Sequence, residues 1–272
     1  MPIFAELLDD AALLSLEHQL HLADLVGEQF SVDIDLAVPR FEFLPPEYAR
    51  HLRDSGEPEG AVRRFGAPLP CTATHLLGSA APGPRSWLWA WANPSGYPPA
   101  TVALSERVRA FGTSHGIAEF ANPEIPFDAL PGAPGDALRV VSQMVDAVKS
   151  ATGQWTGYQL SAGGGTYAGF IIEHPSFLLP PPEGPRVSRV LMQGLKELTL
   201  WDDRRALHAY AAHRGLGCSD DGSQLVLTGP GFSATAKFAS AQRVVDLSFS
   251  LAQLRPGCRS PAGRATSGRS TG

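Results

Sequence analysis

Three tryptophans at alternate positions, Trp87, Trp89 and Trp91, sit in the most unusual run of the sequence, Ser86-Trp87-Leu88-Trp89-Ala90-Trp91-Ala92-Asn93-Pro94-Ser95. Read as a strand, this spacing puts all three indoles on one face. Rigid rings carrying an N–H donor could there stack a ring or cover an apolar ligand, with His75 or Asn93 as the attendant polar group. The simpler reading of the same stripe is core packed against a helix. A second candidate surface is acidic. Asp33 and Asp35 alternate with Val32 and Ile34, and with Glu42 on the next extended segment they could meet a cation or a basic protein surface. A solvated sheet face is the plainer alternative.

Other patterns carry less chemistry. Gly112-Thr113-Ser114-His115-Gly116 has the G-x-S-x-G spacing of a hydrolase nucleophile. That motif needs a strand before Ser and a helix after it, whereas here a helix comes first and a loop follows. A helix C-terminus requiring glycine explains it. His18 and His21 lie three apart on one helix beside Glu17, a spacing that could bind a metal if a third ligand arrived from elsewhere, and nothing identifies that ligand. His208 and His213, five apart, diverge. Gly163-Gly164-Gly165 lacks the Lys and Ser/Thr of a phosphate loop and the spacing of a dinucleotide loop, so it reads as a hairpin turn. No catalytic residue, metal or cofactor is assigned.

The elements that must position these residues follow from periodicity. Apolar residues at helical spacing predict a helix from Phe4 to about Val26, and alternation predicts a strand over Phe30–Leu36. A short extended piece over Phe41–Leu44 ends at Pro45-Pro46. The segment 47–70, broken by Gly and Pro, reads as a loop with room for one helical turn. Strands over Cys71–Ser79 and Ser86–Asn93 form a hairpin around a Pro-Gly turn. Helices follow over Ser105–Phe111, with Ser105 as N-cap and Gly112 as stop, and over Asp136–Ser150. A second hairpin pairs Trp155–Leu160 with Thr166–Glu173.

The stiff Leu179-Pro180-Pro181-Pro182-Glu183-Gly184-Pro185 run is the best boundary in the sequence. Beyond it come a helix over Val187–Leu198, a second helix capped by Thr199 with Asp202, and a three-stranded meander. The expected fold class is α+β: an N-terminal helix and an antiparallel sheet of hairpins with helices on one face, then a smaller helix-pair and meander unit. The division is a main domain over 1–178, a Pro-rich linker over 179–186, a small unit over 187–254 and a disordered tail over 255–272, whose Gly, Ser, Pro and Arg offer no apolar cluster.

Composition narrows the partners. With 272 residues and 43% hydrophobic content the chain can build a sizeable core, and a net charge of -5 argues against nucleic acid. No apolar run reaches the length of a membrane span, and no Lys or Arg precedes Arg40 to make a secretory n-region. The three cysteines are too few and too scattered for a disulfide framework, which fits a reducing cytoplasm.

The run Leu76-Leu77-Gly78-Ser79, a turn, and Ser86 to Ser95 resembles the signature of a family of uncharacterised bacterial proteins whose members share a leading helix and an acidic strand. The likeness extends to Phe170-Ile171-Ile172. It implies a bacterial origin and a shared fold, and names no catalytic residue. From this the expectation is a non-catalytic cytoplasmic binding protein of immunity or accessory type, engaging another protein through Trp87, Trp89, Trp91, Asn93 and His75 or through Asp33 and Asp35. The alternative is a small-molecule binding protein or hydrolase with a Trp-lined pocket.

Overall fold

The computed structural model describes residues 3–27, 29–56, 60–239 and 242–251. The predicted tail over 255–272 lies outside them. The chain opens with α1 (Phe4–Val26), then β1 (Ser31–Asp35) and β2 (Arg40–Leu44). Helices α2 (Pro46–Ser55) and α3 (Ala61–Phe65) occupy the segment expected to be loop. Pro46 is the reason: at the first helical position a missing N–H costs nothing, so a residue read as a breaker is a helix start.

Next come β3 (Leu69–Pro70), β4 (Ala73–Ala81) and β5 (Ser86–Trp89), the last followed by a 3₁₀ turn over Ala90–Ala92. Helix α4 (Pro99–His115) is longer than its sequence predicts, and again begins at a proline. Ser105 is consequently not its cap. It is buried mid-helix, its hydroxyl donating to the Val102 carbonyl at 2.8 Å. Gly112 does not stop the helix either; it makes room for α5 (Ala118–Ala121), since a Cβ there would lie 2.3 Å from Phe120 Cβ. The helix stops at Gly116, which adopts the left-handed conformation.

Strand β6 (Glu124–Pro126) leads to α6 (Ala137–Thr152), capped by Asp136 accepting from the Arg139 amide at 2.9 Å. The hairpin of β7 (Gly157–Gly163) and β8 (Thr166–Glu173) closes through Gly164 and Gly165, both at positive φ, as the tightest hairpin turns require. Helices α7 (Gly184–Glu197) and α8 (Asp203–Arg214) follow, α8 being capped by Asp202 alone through the Arg205 amide. The last sheet has four strands rather than three: β9 (Gly217–Asp220), β10 (Gln224–Gly229), β11 (Phe232–Phe238) and β12 (Val244–Leu251).

Among the described residues the fold is mixed α+β with three antiparallel sheets, ordered β1-β2-β3, β6-β5-β4-β8-β7 and β12-β11-β10-β9. Helix α1 threads three apolar clusters. Phe4, Leu7 and Leu8 join the core formed by α4, α6 and the five-stranded sheet; Leu13, Leu14 and Leu16 complete the core of α7, α8 and the four-stranded sheet; Leu22 reaches the cluster around Phe41 and Phe170.

Polar clamps fix the same helix on both sides. Asp9 accepts the Trp201 and Asp202 amides at 2.9 and 3.0 Å, and Asp10 takes Arg205 in a two-pronged pair at 2.7 Å. Ser15, Asp146 and the buried Lys149 close a three-way contact onto α6. Fully buried Glu17 accepts the Tyr210 hydroxyl at 2.8 Å and lies 3.0 Å from Arg214 Nε. Each charge is taken out of water only because a partner meets it.

Candidate functional site

The predicted tryptophan face divides. Trp87 and Trp89 are both fully buried, their rings 5.4 Å apart edge to face, and Trp89 Nε1 donates to the Glu119 carbonyl at 2.9 Å. Trp91 is not on the strand: the 3₁₀ turn rotates it out of the alternation and places Arg109 over its ring at 4.2 Å. Trp91 and Asn93 line a shallow cavity of about 290 Å³ beside α4. His75 sits elsewhere on β4, 3.9 Å from Glu173.

Asp33 and Asp35 lie on the separate three-stranded sheet and both are engaged. Asp33 meets Arg40 at 2.5 Å, and Glu42, directly across the ladder, is 3.5 Å from the same guanidinium. Asp35 accepts the Ala37 and Val38 amides of the turn. Ser114 of the G-x-S-x-G run is tied into the last turn of α4, donating to the Phe111 carbonyl at 2.9 Å.

The residues that do converge are His18, Trp155, Gln154 and Glu173, around a cleft of about 400 Å³ with mostly apolar walls. That volume suits a small organic ligand. Three separate stretches build it: α1 supplies His18, the α6–β7 connection supplies Gln154, Trp155 and Thr156, and the end of β8 supplies Glu173 and His174. The rim is a 3₁₀ turn over Pro175–Phe177, held by His21 Nε2 on the Ser176 carbonyl at 2.9 Å and by His174 Nδ1 at 2.6 Å from Ser176 Oγ. His18 and His21, whose spacing alone could suit a metal, thus serve one cleft in different ways. Among the described residues no cluster of three or more His, Cys, Asp and Glu is placed to hold a metal.

His18 stacks on Trp155 with centroids 6.3 Å apart, and His213 meets the same indole edge to face at 4.7 Å. Burial, reinforced by the charges of Lys149, His21 and Arg214, lowers the His18 pKa to about 3. The ring is therefore neutral near pH 7. Its hydrogen bond to the Phe177 backbone uses one nitrogen, and the other, Nδ1, is buried without a partner. Gln154 donates its amide to Glu173 and leaves its own buried Oε1 unpartnered. The residues around the cleft carry an aromatic face and two buried acceptors without a protein partner, with a carboxylate at the edge.

This arrangement defines an α+β protein with a preformed, largely apolar cleft beneath its longest helix. Residues 58–175 match the model of a family of unknown function (DUF6882). The match holds the tryptophan run and most of the cleft, while α1 with His18, and the acidic strand β1, lie outside it. Neither the curated proteins nor the solved structures yielded a match. No helix of the described residues is long and apolar enough to cross a membrane.

Proposed function

We propose that this protein binds a small, flat, apolar molecule carrying hydrogen-bond donors, of the heteroaromatic amine class, in the cleft between His18, Trp155 and Glu173. The observation that carries the proposal is the buried His18 Nδ1, an acceptor without a partner in a cleft that also holds the unpartnered Gln154 Oε1. A buried polar atom left unpaired costs about 1–3 kcal/mol, and a ligand N–H recovers that cost. Trp155 supplies the stacking surface, and the Glu173 carboxylate favours a neutral or cationic ligand over an anionic one.

The test is a thermal-shift and fluorescence titration with tryptamine and, as its acidic counterpart, indole-3-acetate. Tryptamine is expected to raise the melting temperature and saturate, the acid to do neither, and Gln154→Ala to weaken the amine by roughly tenfold, the worth of about one hydrogen bond. Equal binding of the acid, no binding of the amine, or binding unaffected by Gln154→Ala would refute the proposal.

A further inference from the structure

Away from the cleft, the turn between α8 and β9 brings together three side chains that the sequence keeps apart. Cys218 Sγ lies 3.4 Å from His208 Nδ1, and His208 Nε2 lies 2.9 Å from Asp220 Oδ2. The carboxylate accepts the Nε2 proton, which fixes the tautomer and leaves the Nδ1 lone pair facing the thiol. Asp220 is itself held. Arg204 donates to its other oxygen and to the Gly222 carbonyl at 2.8 Å, while its guanidinium stacks 3.9 Å above the Phe238 ring, and the Gly222 amide donates to Asp220 at 2.9 Å. Cys218 and His208 are both exposed. Nucleophile, base and orienting carboxylate stand in a row open to solvent, the order that nucleophilic catalysis uses.

We infer that Cys218, His208 and Asp220 form a nucleophilic thiol centre that takes acyl groups from activated carbonyl compounds. The inference stands on geometry independent of the cleft. Burial and the negative charge of Asp220 push the Cys218 thiol up, so the resting group is the thiol and not the thiolate. Deprotonation belongs to the attack itself. The Sγ proton passes to His208 Nδ1 as sulfur bonds to the carbonyl carbon; the imidazolium, stabilised by Asp220, returns that proton to the departing oxygen as the carbon–oxygen bond breaks, leaving a thioester on Cys218. Water, with His208 as base, then cleaves the thioester and restores the thiol. Other charges near the imidazole are spoken for: Arg204 is turned to Asp220, and Asp221 accepts the Ser223 and Gln224 amides.

The test uses the full chain with 4-nitrophenyl acetate and reads nitrophenolate release together with peptide mass mapping, which separates Cys218 from Cys71 and Cys258. Cys71 is an internal reference, because burial raises its pKa to about 12. Acetylation of Cys218 is expected at least about tenfold faster than that of a cysteine-containing model peptide at pH 7.5. Its rate should level off below the ordinary thiol range instead of climbing through it. His208→Asn should abolish both the excess rate and the plateau. A wild-type rate equal to the peptide's, a rate that climbs with pH as a free thiol does, or a plateau that survives His208→Asn would overturn the inference. The wild-type profile decides the matter even if the variant fails to fold.

Discussion

The neutral His18 in its buried stack makes stability fall on mild acidification, by an amount that can be worked out. In the unfolded chain the imidazole titrates near 6.5, and in the fold only near about 3. Below pH 6.5 the unfolded chain takes up a proton that the folded one refuses, so stability present at higher pH is lost as pH falls through this window. Linkage gives a loss of about 2 kcal/mol between pH 8 and pH 5, growing to about 4 kcal/mol at pH 3. Asp9 works in the opposite sense. Burial raises its pKa from 3.8 to about 6, so its contribution is fully present below pH 3.8 and is lost as pH rises through 6. Wild-type denaturation curves alone mix the two effects.

The clean comparison is urea unfolding of the wild type beside His18→Phe, which keeps a ring against Trp155 but cannot titrate. The stability difference, wild type minus variant, should move by about 2 kcal/mol against the wild type between pH 8 and pH 5. A difference that stays constant over that range would refute the claim that His18 is held neutral by burial and by the Lys149, His21 and Arg214 charges.

Three further outcomes follow from packing. Gly112→Ala would place a Cβ 2.3 Å from Phe120 Cβ and should cost roughly 1–3 kcal/mol by thermal or urea melting, whereas Gly83→Ala, with nothing within 4 Å, should be close to neutral. Trp89→Ala should cost roughly 3–5 kcal/mol, and Trp91→Ala, half-buried under Arg109, only about 1–2 kcal/mol; equal costs would mean that the two indoles share one environment. A fragment of residues 187–251 should show no cooperative melt in circular dichroism, because it lacks Leu13, Leu14 and Leu16 of its core and the Glu17 partner of Tyr210. A sharp transition would establish it as an independent unit.

Much of the architecture was legible because strong periodicity survives in the fold. The α1 and α6 stripes and the Gly163–Gly165 hairpin lie where their spacing puts them. The misses have physical causes. β9 is exposed along its whole length, so it shows no alternation to read. Pro46 and Pro99 start helices that a breaker rule forbids. The period-two run of tryptophans overshoots its strand by one turn, since spacing alone cannot report where pairing ends. Neither site is a motif. Gln154, Trp155 and Glu173 meet His18 only through α1 packing against the sheet connections. Cys218 meets His208 through a helix-to-strand turn, and the sequence offered His208 only a comparison with His213.

The position of α1 also bears on how the chain can be made. Its fastenings span very long sequence separations: Ser15 to Asp146 across 131 residues, Asp9 to Trp201 across 192, Asp10 to Arg205 across 195. During synthesis this long apolar helix emerges well before α6, and earlier still than α8, so two of the clusters it completes cannot close until most of the polypeptide exists. Contacts of such range slow folding and leave sticky intermediates open to aggregation. Nascent chains of this protein should therefore depend on a chaperone that holds apolar helices, and truncation within α8 should be more harmful to solubility than the number of residues removed would suggest.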